Sequence, residues 1–193
     1  MERVRHHVSV AEAVFAGLLN IGHADLDTQL VFLQLRNALE EIAFSSLTAN
    51  RSAYATARPG FATEWNARRM LGFLEKMNPH FYPVPVLPPQ EIAPGRKHCD
   101  RVRDGFITRD EFAALYDISA EVLHCRNPYD PGNSGIDFRY SVDMWAGRIK
   151  ALLRWHFVQL LNVNMLWLVR VADAGPVQAW PAAADGAFVV DPL

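Results

Sequence analysis

The stretch LDTQLVFLQLRNALEEIAFSSL, residues Leu26 to Leu47, predicts a long helix at the centre of the molecule. Its apolar residues recur at helical spacing and cover a face that is too wide for a surface helix. Complete burial of one large apolar side chain stabilises a fold by roughly 1.5–3 kcal/mol, so other helices must surround this one to gain that energy. We therefore expect a helical bundle built around residues 26–47.

The composition indicates a folded protein with a sizeable core. Half of the 193 residues are hydrophobic and 21% are charged, which suits a globular domain rather than a disordered chain. The formal net charge of −2 argues against a dedicated nucleic-acid binder, because such proteins usually carry a clear positive excess. Two cysteines, Cys99 and Cys125, do not form a disulfide scaffold and suit a reducing cytoplasm. We expect no signal peptide and no membrane span.

Helical periodicity predicts further helices on both sides of the central one. The first covers Val8–Leu19 and has its apolar residues on one side, namely Val10, Val14, Phe15, Leu18 and Leu19. Another covers Phe61–Met77 and ends before Pro79, because the residue that precedes a proline avoids the α region.

The middle of the chain contains a proline-rich segment and a strong helix start. Residues 81–89 read FYPVPVLPP, which predicts an extended, polyproline-like strap laid over the helices. Residues 93–104 are polar and are expected to form a loop. Thr108 and Glu111 have the spacing of a capping box, in which each side chain accepts a hydrogen bond from the other residue's backbone amide. The box predicts a helix up to His124.

The C-terminal part begins with another long helix. It starts at Ser141 or Asp143 and is expected to reach Leu160, with His156 on its apolar stripe. We interpret His156 as a core histidine that is hydrogen-bonded to a neighbour; the functional alternative is a histidine that transfers a proton or contacts a substrate.

After Leu160 the apolar pattern changes to that of short strands separated by turns. The strands are expected at Met165–Val171, Val177–Trp180 and Ala187–Val190. The fold class is therefore mainly α, a bundle of about four to five helices with a small C-terminal antiparallel β-meander. We expect a single domain over residues 1–193, with the bundle at about 8–162 and the meander at about 165–191.

Two groups of polar residues are candidate sites. Arg36 and Glu40 lie four residues apart on the central helix and therefore on one helical face. His124, Arg126 and Asn127 lie where a helix ends before a proline, and carbonyl groups at a helix C-terminus favour positive charge. His124 would serve as a general acid or base, Arg126 would hold a phosphate, and Asn127 would orient either. The alternative is that these are ordinary polar residues at the C-terminal cap of a helix.

Two metal-binding patterns are incomplete, and we expect no metal and no cofactor. Residues 100–111, DRVRDGFITRDE, match several positions of a calcium-binding EF-hand loop. The third position is Val102, however, and three arginines in the loop would oppose a divalent cation. The pairs His98–Cys99 and His124–Cys125 lack the spacer that zinc-binding motifs usually contain.

The long early helix with Leu35-Arg36-Asn37-Ala38-Leu39-Glu40, together with a later helix that ends in a His-Arg-Asn cluster, resembles the HEPN superfamily of prokaryotic helical domains. The resemblance covers about residues 10–160 and implies a helical bundle, dimer formation and an association with RNA. Active members carry an arginine four to six residues before a histidine. This sequence has Glu40 and Glu41 after Arg36, so the resemblance implies the fold and a link to RNA rather than an assigned nuclease.

Two functional hypotheses follow from these observations. The first is a HEPN-like protein that acts on or with RNA in a defence or toxin-type system. Metal-independent cleavage would then use His124, with Arg126 and Asn127 at the phosphate and with Arg36 and Glu40 as support. The second is a non-enzymatic interaction or assembly module, either a homodimer or the receptor of a partner protein, whose C-terminal strands offer an edge for pairing.

Overall fold

The computed structural model describes residues 1–49, 66–78, 80–124, 135–159 and 166–183. Five helices and six short strands lie in these ranges, with a four-stranded antiparallel sheet that includes the C-terminal strands. The predicted fold class, a helical bundle with a small C-terminal antiparallel meander, is confirmed. Among these residues no helix is long and apolar enough to cross a membrane.

The helices carry most of the hydrophobic core. Their bounds are α1 Glu2–Phe15, α2 Ala24–Ala49, α3 Ala67–Met77, α4 Arg109–Leu123 and α5 Val142–Arg154. Helix α2 is the predicted central helix: it packs against α1, α3 and α4, and Leu35, Leu39 and Ile42 are completely buried. Other helices therefore surround the middle and C-terminal parts of this stretch, as predicted.

Helix α1 begins and ends earlier than predicted. It buries Val4, Val8 and Val14, and the chain leaves the helix through Gly17, whose φ of +71° is favourable only for glycine. The predicted bounds, Val8–Leu19, were wrong because the turn begins at Ala16. Of the residues expected on one side, Val14 is buried, whereas Phe15, Leu18 and Leu19 are exposed.

The strands form two small sheets. Their bounds are β1 Val84–Pro85, β2 Gln90–Ala93, β3 Arg96–His98, β4 Trp155–Gln159, β5 Leu166–Arg170 and β6 Gln178–Ala182. The larger sheet has the order β1-β4-β5-β6, with antiparallel neighbours, and β2 pairs with β3 in a separate hairpin. The predicted strands at Met165–Val171 and Val177–Trp180 are therefore confirmed, whereas the predicted strand at Ala187–Val190 lies outside the described residues.

The middle of the chain contains more strand structure than predicted. The proline-rich strap contributes β1, an edge strand in which Pro85 pairs with His156, and an edge tolerates a proline that cannot donate a hydrogen bond. The predicted loop at residues 93–104 contains β3 and the turn of the β2–β3 hairpin, where Gly95 has a φ of +74°.

The last long helix is shorter than predicted. Helix α5 ends at Arg154, and the next five residues, Trp155–Gln159, form β4 at the centre of the larger sheet. His156 therefore lies on a strand and not on a helical stripe. By contrast, the capping box is confirmed: the Thr108 hydroxyl accepts from the Glu111 amide, and the Glu111 carboxylate accepts from the Thr108 amide.

Candidate functional site

The predicted ion pair on the central helix forms a cluster with a tyrosine from α4. Arg36 Nε donates to Glu40 Oε1 at 3.1 Å, and the Arg36 guanidinium also donates to the Tyr116 hydroxyl at 2.7 Å. The Tyr116 hydroxyl in turn donates to Glu40 Oε1 at 3.3 Å. The guanidinium carbon lies 4.1 Å from the centre of the Tyr116 ring, a cation–π distance. These three residues form the Arg36–Tyr116–Glu40 cluster.

This cluster is a partly buried ion pair whose charged groups form hydrogen bonds within the cluster itself. The Arg36 and Glu40 side chains are 18% and 24% exposed. Desolvation raises the pKa of Tyr116, Arg36 opposes this rise, and the Glu40 carboxylate adds to it. The tyrosine therefore stays protonated and serves as a donor to Glu40. Sequence reasoning missed Tyr116, although its position four residues after the buried Phe112 places both residues on one face of the helix.

His124 lies on the same helix as Tyr116 but at its end. It caps α4 through its backbone amide, which donates to Ala120 O at 3.0 Å, and its side chain is exposed. Eight residues separate it from Tyr116, a rise of about 12 Å along the helix axis. The other two predicted site residues of this group, Arg126 and Asn127, lie outside the described residues.

A second polar network joins α4 to α5, and sequence reasoning missed most of it. Arg148 donates to both oxygens of Glu111 at 2.6 and 2.7 Å, and the Tyr140 hydroxyl donates to Glu111 at 3.1 Å. Desolvation raises the pKa of Glu111, but the hydrogen bonds from Arg148, from the Thr108 amide and from Tyr140 outweigh it and lower the pKa. Glu111 is the last position of the EF-hand-like loop, and its carboxylate oxygens thus accept hydrogen bonds from protein donors.

The buried histidine of the larger sheet has a strongly lowered pKa. His156 is completely buried, and its Nδ1 lies 3.0 Å from Leu153 O. Desolvation lowers its pKa to about 4, against the opposing effect of the hydrogen bond to Leu153 O, and the positive N-terminal amino group adds to the lowering. His156 is therefore neutral at pH 7. The interpretation of His156 as a core histidine bonded to a neighbour is confirmed.

An exposed apolar surface lies at the turn between α1 and α2. This is the end of the two helices that is far from the sheet. Five large side chains of the turn and the adjoining helix ends are between 45% and 79% exposed. They are Phe15, Leu18, Leu19, Ile21 and Leu26, and we name them the apolar tip.

Backbone hydrogen bonds hold the apolar tip in one conformation. The amides of Leu18 and Leu19 both donate to Ala13 O, and the Ile21 amide donates to Asp27 Oδ1 at 2.7 Å. An ordered apolar turn that faces solvent is typical of an interaction surface.

Comparison of the chain with protein-family models, with curated proteins and with solved structures finds no match in any of the three. The function must therefore be argued from the geometry. Among the described residues, no group of three or more histidine, cysteine, aspartate or glutamate side chains is arranged to hold a metal ion.

Proposed function

We propose that this chain is a non-enzymatic interaction module that associates with a second copy of itself through the apolar tip. The observation that carries the proposal is the exposure of five large apolar side chains in the hydrogen-bonded turn between α1 and α2 and at the adjoining helix ends. Exposure of this surface to water is unfavourable, whereas its burial against another apolar surface is favourable by about 25 cal/mol per Å².

The size of the tip suits a weak, reversible dimer. Five side chains at about half exposure amount to an apolar patch on the order of 500 Å². Two tips in a twofold arrangement would bury about 1,000 Å² in total, which is near the lower bound for a specific interface. A net charge of −2 gives only weak repulsion between two copies at physiological salt. We therefore expect a dissociation constant in the micromolar range.

Twofold symmetry makes one substitution especially informative. In such an interface both copies contribute the same surface, so Leu18→Asp would bury two carboxylates in one apolar contact, one from each copy. Leu18 is 79% exposed, and the substitution therefore leaves the fold intact. Leu33→Asp is the matched control. Leu33 is a 39% exposed leucine of α2 that lies two turns after Leu26, outside the apolar tip.

The test is sedimentation equilibrium of the three proteins between 1 and 200 μM. We expect the wild type and Leu33→Asp to form dimers with similar constants, and Leu18→Asp to stay monomeric with an unchanged melting temperature. A monomeric wild type at 200 μM, or equal dimerisation of Leu18→Asp, would contradict the proposal.

A second candidate function, action on RNA by a HEPN-like domain, is favoured by the Arg36–Tyr116–Glu40 cluster. The cluster joins the two helices that carry the sequence resemblance, and His124 ends the second of them. Because Arg36 is already bonded to Glu40 and Tyr116, it would act as a positioning residue. His124, together with Arg126 and Asn127, would contact the phosphate.

This candidate is tested by incubating RNA with the purified protein in EDTA. Cleavage by the wild type that is lost in His124→Ala and in Arg36→Ala, with unchanged melting temperatures, would support a metal-independent nuclease of a defence or toxin-type system. Intact RNA after incubation with the wild type would leave the interaction module as the function.

A further inference from the structure

A cavity of about 280 Å³ lies between the larger sheet and the C-terminal half of α2. Its walls include Ser45 and Ser46 from α2 and His156, Val158 and Trp167 from the sheet. The strand register explains this set: Val158 pairs with Trp167, and His156 pairs with Val169, so all four residues face the same side of the sheet. We name this space the His156 cavity.

The walls are mostly apolar, and several of them are only half-buried, so the cavity opens to solvent. Met1, Pro83, Val169 and Ala179 complete the lining, and Ala179 on β6 is exposed. A concave, apolar space with a few polar groups is the usual form of a small-molecule site, and 280 Å³ is at the small end of the range of such sites.

His156 lines the cavity, and its ring holds an acceptor that has no partner in the described part of the chain and almost no exposed surface. Leu153 O can only accept, so His156 Nδ1 carries the proton of the neutral ring. Nε2 is then a bare acceptor, and it is buried without a hydrogen-bond partner among the described residues. Leaving such an atom unsatisfied costs free energy, because it loses its bond to water on burial. The far end of the ring therefore needs a donor.

We propose that the His156 cavity binds a small, neutral, largely apolar molecule, and that its single hydroxyl group donates a hydrogen bond to His156 Nε2 when the half-buried side chains of the wall move aside to uncover this atom. At about 30 Å³ for each water-sized group, the cavity accommodates on the order of nine non-hydrogen atoms. A simple alkylphenol has this size, an apolar body for the sheet face and a good donor. This binding is independent of the apolar tip and of dimer formation.

Other ligand classes fit the cavity less well. A cation would be desolvated by the apolar walls without a carboxylate to compensate it, and the N-terminal amino group already adds positive charge near His156. An anion would gain from the N-terminal amino group, but it would lose its hydration and would meet the lone pair of Nε2, which repels it. A neutral donor satisfies Nε2 without burying a charge.

The test uses two isomers, 4-ethylphenol and 4-methylanisole. They have the same nine non-hydrogen atoms and nearly the same shape, but only the phenol has a hydroxyl donor. Titrations followed by protein NMR should give a dissociation constant for 4-ethylphenol on the order of 0.1–1 mM, as expected for a ligand of this size. The anisole should bind about five- to tenfold more weakly, which is the worth of one hydrogen bond. The His156 Nε2 resonance should shift with the phenol only.

Two substitutions on β6 test the location independently of His156. Ala179→Phe places a ring across the cavity and should abolish binding of 4-ethylphenol. Ala182→Phe is the matched control, since residue 182 lies on the opposite face of the same strand, and it should bind like the wild type.

Three results would overturn the proposal: no saturable binding of 4-ethylphenol at 10 mM, equal affinities for the two isomers, or full binding by Ala179→Phe. Each result can be obtained with folded protein, because Ala179 is exposed and its substitution leaves the core unchanged. The result for Leu18→Asp in sedimentation bears only on dimer formation, so the two proposals fail separately.

Discussion

Acid should destabilise this protein through one buried histidine before its carboxylates titrate. The pKa of His156 is lowered from 6.5 to about 4 in the folded state, so between these values the unfolded chain binds a proton that the folded chain excludes. Stability is therefore fully present above pH 6.5 and falls as the pH drops towards 4. Each pKa unit corresponds to about 1.4 kcal/mol, so the full effect is about 3 kcal/mol, of which about 2 kcal/mol is lost between pH 7 and pH 5.

The assay is urea unfolding at pH 5, 6 and 7 and constant ionic strength, followed by circular dichroism. His156→Gln removes the titrating group, so its unfolding free energy should change with pH by about 2 kcal/mol less than that of the wild type. The pH slope is the readout, and any constant loss of stability in the variant therefore cancels. His23→Gln, in the exposed turn before α2, should keep the wild-type slope. Equal slopes for the wild type and His156→Gln would refute the reasoning.

Two substitutions measure the polar contacts between helices, both by chemical unfolding at pH 7. Tyr116→Phe removes the hydroxyl that bonds Arg36 and Glu40 and should cost about 1–2 kcal/mol, because bonds to charged groups are stronger than average; a change below 0.5 kcal/mol would show that the ion pair suffices alone. Glu111→Gln breaks the ion pair with Arg148 and should cost about 2 kcal/mol, less than a fully buried pair would, since both side chains are partly exposed. Because the pKa of Glu111 is lowered from 4.5, this contribution is full at pH 7 and disappears as the pH falls below 4.5. A loss of stability in Glu111→Gln that is the same at pH 3 as at pH 7 would contradict this assignment.

The parts of the fold that sequence predicts correctly are those with strong local signals. Helix α2 is predicted by the helical spacing of its own apolar residues. The start of α4 is predicted by the reciprocal hydrogen bonds of its own capping box. Helix α3 ends at Met77, with Asn78 as its C-cap just before Pro79, for the same kind of local reason. Such elements form in the predicted place because few tertiary contacts compete with the local preference.

The predictions that failed concern segments whose structure depends on distant partners. Val84 and Pro85 become a strand only because β4 provides an edge for them, and nothing in a proline-rich segment indicates that partner. Likewise the Glu111–Arg148 ion pair spans 37 residues, so no local spacing predicts it. The apolar tip escaped prediction because Phe15 and Leu18 fit a helical stripe, and the stripe itself does not show that the helix ends at Phe15.

The helix-to-strand junction after Arg154 connects the fold to the proposed chemistry. The last carbonyl groups of a helix have no intrahelical partner, and Leu153 O in α5 accepts instead from the Val171 amide and from His156 Nδ1. Continuation of the helix would satisfy this carbonyl internally and would carry residue 156 around to a helical face. The change to a strand turns the ring towards the cavity side of the sheet and fixes its proton on Nδ1. The end of one helix thus determines that Nε2 is an acceptor, and so determines that the His156 cavity selects a donor.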